Sequence, residues 1–88
     1  MNSDNVLTFP VSFVMKIIMN AESSPGDNRR RLEAVFNDMG IPADGWGFKT
    51  SGQGRFASYS VSVTVRDRPE FELLHARIAG VGGVRYVL

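Results

Sequence analysis

The sequence predicts an α+β fold from three observations. Four extended runs carry apolar residues at alternate positions, two other stretches carry them at helical spacing, and Gly, Pro or Asp marks each break between them. The resulting order is β-α-β-β-α-β. At 88 residues this order is met most simply by a ferredoxin-like sandwich, a four-stranded antiparallel sheet with two helices on one face. The first and third strands then lie side by side in the middle. Residues 1–8 read as a flexible N-terminal tail and residues 9–88 as a single domain.

The first strand is expected over residues 12–20. Phe13, Met15, Ile17 and Met19 alternate there with Val14, Lys16, Ile18 and Asn20, and two partly apolar rows suit a central strand. The stretch AESSPGD breaks it, with Asp27 placed to cap a helix through its side-chain oxygen. Leu32, Val35, Phe36 and Met39 follow as a one-sided stripe, closed by Gly40 and Pro42. WGFKTS is a short second strand, and SGQGR turns the chain back as a hairpin.

The third strand is the clearest element. In RFASYSVSVTVRD, residues 55–67, Ala57, Tyr59, Val61, Val63 and Val65 form one row, with Ser58, Ser60, Ser62 and Thr64 forming the other. The hydroxyl row belongs on the side of the sheet that no helix covers, where small polar groups stay hydrated. Asp67 with Glu70 forms a D-x-x-E capping arrangement, and Pro69 is tolerated in a first helical turn. Phe71, Leu74, His75 and Ile78 line one face of the second helix, which Gly80 ends. GVRYVL is the last strand. Strict alternation turns its Val84, Tyr86 and Leu88 toward helix two, and Arg85 and Val87 outward. The core is expected from Phe13, Ile17, Leu32, Val35, Phe36, Tyr59, Val61, Val63, Phe71, Leu74 and Ile78.

Composition narrows the chemistry. The chain is 43% hydrophobic with a formal net charge of +1, which marks a globular protein with no general pull toward nucleic acid or anionic lipid. It has no cysteine and one histidine, so disulfides, thiolate catalysis and Cys- or His-rich metal centres fall away. No run is long and apolar enough for a membrane span, and the N-terminal residues do not form a secretory signal. A cytoplasmic protein without a cofactor is expected.

Several matches then gather. Phe9, Pro10, Phe13 and Lys16 fit an F-P-x-x-F-x-x-K opening, while Lys49, Ser51, Gly54, Phe56, Ser58 and Ser60 fit a K-x-S-x-x-G-x-Y-x-S-x-S hairpin pattern. Leu74, His75 and Ile78 fall on an L-Y-x-x-L pattern, and Val84, Arg85, Val87 and Leu88 on V-R-x-V-L. In these residues the chain resembles the YbeD-like family of small bacterial proteins of unknown function. The resemblance implies a ferredoxin-like fold similar in shape to ACT regulatory domains. Two departures from it matter: Phe56 stands where Tyr is usual, and His75 replaces an aromatic residue.

Catalysis is not expected. No pair of carboxylates, no Ser–His–Asp order and no metal cluster can be assembled, and His75 falls within an apolar stripe. Arg29, Arg30 and Arg31 fan around a helix instead of converging, so they read as a solvated helix start. GVGGV is a helix stop and turn. SGQGR is first of all a hairpin loop, although its glycines and Arg55 leave room for a small anion. RNA binding is disfavoured because the middle of the open face carries Ser58, Ser60 and Ser62 instead of stacking aromatics. The expected role is regulatory or binding, exerted through an open-face surface of Lys16, Phe56, Ser58, Ser60 and Arg85. Its partner is a protein or a small anionic ligand. A structural or assembly protein whose homodimer interface is that same face is the alternative.

Overall fold

The structure, a computed structural model, describes residues 8–21 and 25–88. Of the expected tail only Thr8 falls within that range. The elements run β1 (Val11–Asn20), α1 (Pro25–Met39), β2 (Ala43–Ser51), β3 (Phe56–Val65), α2 (Arg68–Ala79) and β4 (Val84–Val87). They form one four-stranded sheet of order β2-β3-β1-β4, every neighbouring pair antiparallel. This is the ferredoxin-like architecture that the pattern predicts.

The β1–β3 ladder runs unbroken from Val11 opposite Val65 to Asn20 opposite Phe56. Residues directly opposite share a face, so one register sorts both strands at once. Met15, Ile17 and Met19 join Val61, Tyr59 and Ala57 on the helix side, all of them buried. Val63 and Val65 of β3, Leu32, Val35 and Phe36 of α1, Ile41 after it, and Leu74 and Ile78 of α2 complete the core. Phe13 and Phe71 are only partly buried and meet edge to face with ring centres 5.5 Å apart. His75, half-buried at the core edge, lies tilted to Phe71 with ring centres 6.0 Å apart.

Helix α1 starts at Pro25, which places Asp27 inside the first turn and not at the expected cap position. Proline favours an N-terminal helical position because its fixed φ suits the turn and its missing N–H would be unbonded there. Asp27 pairs with Arg30 instead. The arginine trio is tied down residue by residue. Arg29 pairs with Glu33 and lies over the Trp46 ring at 4.8 Å. Arg31 donates to the Gly82 carbonyl and to Asn28 Oδ1 and so ties α1 to the α2–β4 loop. The helix ends in a left-handed Gly40, φ +67°, and the Ile41 N–H bonds back to the Phe36 carbonyl at 2.9 Å.

Strand β2 begins at Ala43, earlier than WGFKTS indicates. An irregularity between Asp44 and Gly47 inserts one residue, and Gly45 supports it with φ +66°. Trp46 packs against the core there, 6.0 Å from Phe36.

At α2 the cap is as expected: Asp67 accepts from the Glu70 N–H at 2.9 Å. The Glu70 carboxylate reaches one residue further back, to the Arg66 N–H at 2.8 Å and to its guanidinium. The side-chain hydrogen bond from Arg66, reinforced by the Arg66 N–H and its charge, holds the Glu70 carboxyl below the usual carboxylate range.

The last strand corrects the sequence reading. Val87 lies opposite Ile17 and Tyr86 opposite Ile18, whereas Val84 lies opposite Met19, with a register shift between Ile18 and Met19. The bulge places Val84 and Val87 against the core and leaves Tyr86 and Leu88 59% and 71% exposed. Alternation counted from Val84 reverses after Arg85. The expectation of Val87 outward, and of Tyr86 and Leu88 inward, fails for that reason.

Candidate functional site: the open face of the sheet

The surface away from the helices is built strand by strand from the registers. Strand β3 gives its centre line: Phe56, Ser58, Ser60, Ser62 and Thr64, all half-buried between flanking strands. Strand β1 lays Ile18, Lys16 and Val14 beside Ser58, Ser60 and Ser62. On the opposite flank, β2 places Lys49, Gly47 and Asp44 against the same three serines. Gly47 fits closely, since a Cβ there would come within 2.5 Å of Ser60 Oγ. At the far end, Ser12 Oγ and Thr64 Oγ1 are hydrogen-bonded at 2.7 Å.

Strand β4 adds the apolar part. Tyr86 flanks Ile18, and Leu88 flanks Lys16 through a pair of backbone hydrogen bonds. Val14 is 65% exposed on the same face, so Val14, Ile18, Tyr86 and Leu88 surround Lys16 with apolar surface. All five residues singled out from the sequence come together here. Lys16 faces Ser60 across the central ladder, Ser58 and Phe56 continue the row, and the Arg85 guanidinium lies 5.8 Å from the Phe56 ring centre. Tyr86 and Leu88 were missed because alternation alone sent them inward. The spacing of Val84 and Val87, three apart where two is the strand period, was the one available sign of a bulge.

Four arginines on or beside the helices, Arg29, Arg30, Arg66 and Arg77, are held in ion pairs. Among the described residues, Lys16, Lys49 and Arg85 have no carboxylate within ion-pair distance, and Asp44 is the acid on their face. Unpaired cations, small hydroxyls and exposed apolar side chains can bind a partner surface or an anion. Among the described residues no helix is long and apolar enough to cross a membrane.

A four-stranded sheet of order β2-β3-β1-β4 with both helices on one side and an uncovered opposite face defines a domain of the ferredoxin-like class, a fold it shares with ACT domains. The ACT domain from the GTP pyrophosphokinase of Chlorobium tepidum matches it with a TM-score of 0.67 at 11% identity, over 89% of this chain and 97% of that one. The solution structure of protein HP0495 from H. pylori matches with a TM-score of 0.77 at 21% identity, over 97% of this chain and 88% of that one. In sequence, a UPF0250 protein of Shewanella sediminis (strain HAW-EB3) is 33% identical over 86 residues, 97% of this chain and 93% of that protein. The family model described as protein of unknown function (DUF493) matches residues 4–88. The chain belongs to the DUF493 family, which bears out the resemblance to YbeD-like proteins.

Proposed function

We propose that the protein is a cytoplasmic binding module with a regulatory role, which acts through the open face of its sheet and carries out no catalysis of its own. One observation carries the reading: Lys16, unpaired among the described residues, sits within exposed Val14, Tyr86 and Leu88, beside a row of small hydroxyls. An apolar patch with a cationic centre suits a partner that brings both apolar and acidic groups. The serines allow another backbone to approach closely. The shared fold with an ACT domain of a GTP pyrophosphokinase supports a regulatory part over a catalytic one.

The test is affinity capture of the tagged protein from its own cells, followed by binding measurements on the captured partner. Changing Lys16 and Arg85 together to Ala is expected to weaken that binding at least about tenfold, or 1.4 kcal/mol, in a variant that still melts cooperatively. Unchanged affinity in the folded double variant overturns the assignment. The exposure of Val14, Tyr86 and Leu88 also favours a second reading, in which a second copy of the chain covers this face. Sedimentation at increasing concentration distinguishes it: a dimer that Leu88→Ser dissociates establishes the homodimer.

A further inference from the structure

At the end of the open face, where β1 leaves the sheet and the β2–β3 hairpin turns, lies a cleft of about 340 Å³ lined by Asn20, Ala21, Gly54, Arg55, Phe56 and Arg85. Its two guanidinium groups come from distant parts of the chain. Arg55 is held at the hairpin by its Nε–H donating to the Gly52 carbonyl at 3.2 Å, and Arg85 is held at the β4 bulge against the Phe56 ring. Among the described residues neither guanidinium has a carboxylate within ion-pair distance. Arg55 uses one N–H on Gly52 and keeps the others for a ligand.

From this juxtaposition we propose that the cleft binds the phosphoryl group of a small phosphorylated molecule, a site that rests on and sharpens the open-face reading. Two guanidinium groups lining one cleft repel each other until something negative lies between them. A phosphate dianion matches their combined charge. Its oxygens also diverge tetrahedrally, so each can meet a different fork, whereas a single carboxylate presents two coplanar oxygens and fills only one. Asn20, a neutral residue, also lines the cleft. The volume exceeds what a phosphoryl group needs, and the Phe56 ring lines the remainder, where the apolar body of a phosphate ester would rest.

The test is a titration of the isotope-labelled protein with inorganic phosphate and then with phenyl phosphate, followed by NMR at constant ionic strength. Saturable shifts are expected at Asn20, Gly54, Arg55, Phe56 and Arg85, with phenyl phosphate binding more tightly because its ring meets Phe56. Arg55→Ala with Arg85→Ala is expected to weaken binding at least about tenfold. Arg30→Ala with Arg68→Ala removes the same charge from the helix side and is expected to leave phosphate binding unchanged. Shifts that sodium chloride reproduces, or equal weakening by both double variants, would overturn the site. So would acetate binding as tightly as phosphate. No partner protein takes part in this titration, so a negative result removes the phosphoryl site and leaves the open-face reading to its own partner measurement.

Discussion

Leu88 and Lys16 exchange both of their backbone hydrogen bonds: the Lys16 N–H donates to the Leu88 carbonyl at 3.0 Å, and the Leu88 N–H donates to the Lys16 carbonyl at 2.7 Å. The pair extends β4 one residue past Val87 along the central strand. It also sets the exposed Leu88 beside Lys16 on the open face.

That pairing makes the last strand a structural requirement. Val84 and Val87 pack against the core from β4, next to Met19 and Ile17. A chain ending at Gly83 uncovers Met19 and Ile17 and leaves the edge of β1 from Lys16 to Met19 without partners. It is expected to lose amide dispersion and a cooperative melt. A dispersed spectrum and a sharp transition would show that β4 is dispensable.

Neighbouring positions on β3 are expected to respond very differently to truncation. Val61 is fully buried on the helix side, whereas Ser60 lies on the open face between Lys16 and Gly47. Ser60→Ala should change stability by no more than about 0.5 kcal/mol. Phe36→Ala, which empties the space under Trp46, should destabilise by about 3–5 kcal/mol, and Val61→Ala should fall between the two. Urea denaturation of the three variants measures this. Equal losses at Ser60 and Val61 would mean the strand faces are assigned wrongly.

Acid should weaken the start of α2. The Glu70 carboxyl is held below its ordinary value, chiefly by the hydrogen bond from the Arg66 side chain, so the folded state favours the ionised form. The stabilisation is fully present above the unfolded carboxylate value of about 4.3, and is lost as pH falls through the lower folded value. Glu70→Gln, which cannot ionise, is therefore expected to be less stable than the wild type near neutrality, with the difference closing as pH drops below about 4. Thermal melts of both proteins across that range give the comparison. A difference that stays constant with pH would rule out the ion pair as its origin.

Much of the architecture was legible because local and tertiary preferences agree. The β3 alternation needs no context: from Ala57 to Val65 it has period two, apolar on one row and hydroxylated on the other, and can pack on a core in only one way. The Leu32–Val35–Phe36 stripe and the Asp67 cap are equally local, each set by spacing within one turn of helix. Four of the five open-face residues followed from the same parity, since Lys16, Phe56, Ser58 and Ser60 lie on strands whose mutual register has no shift.

Tertiary structure decided whatever depends on a neighbour's geometry. The bulge opposite Ile18 and Met19 reverses the faces of Tyr86, Val87 and Leu88, because an extra residue in one strand is stabilised by the ladder it interrupts and leaves little mark in composition. Arg31 reaching Gly82, and Arg55 meeting Arg85 at one cleft, join residues far apart in the chain. Sequence by itself determined which faces could be buried. Only the folded sheet determined which polar groups meet on the face left open, since spacing along a strand carries no information about what the adjacent strand brings alongside.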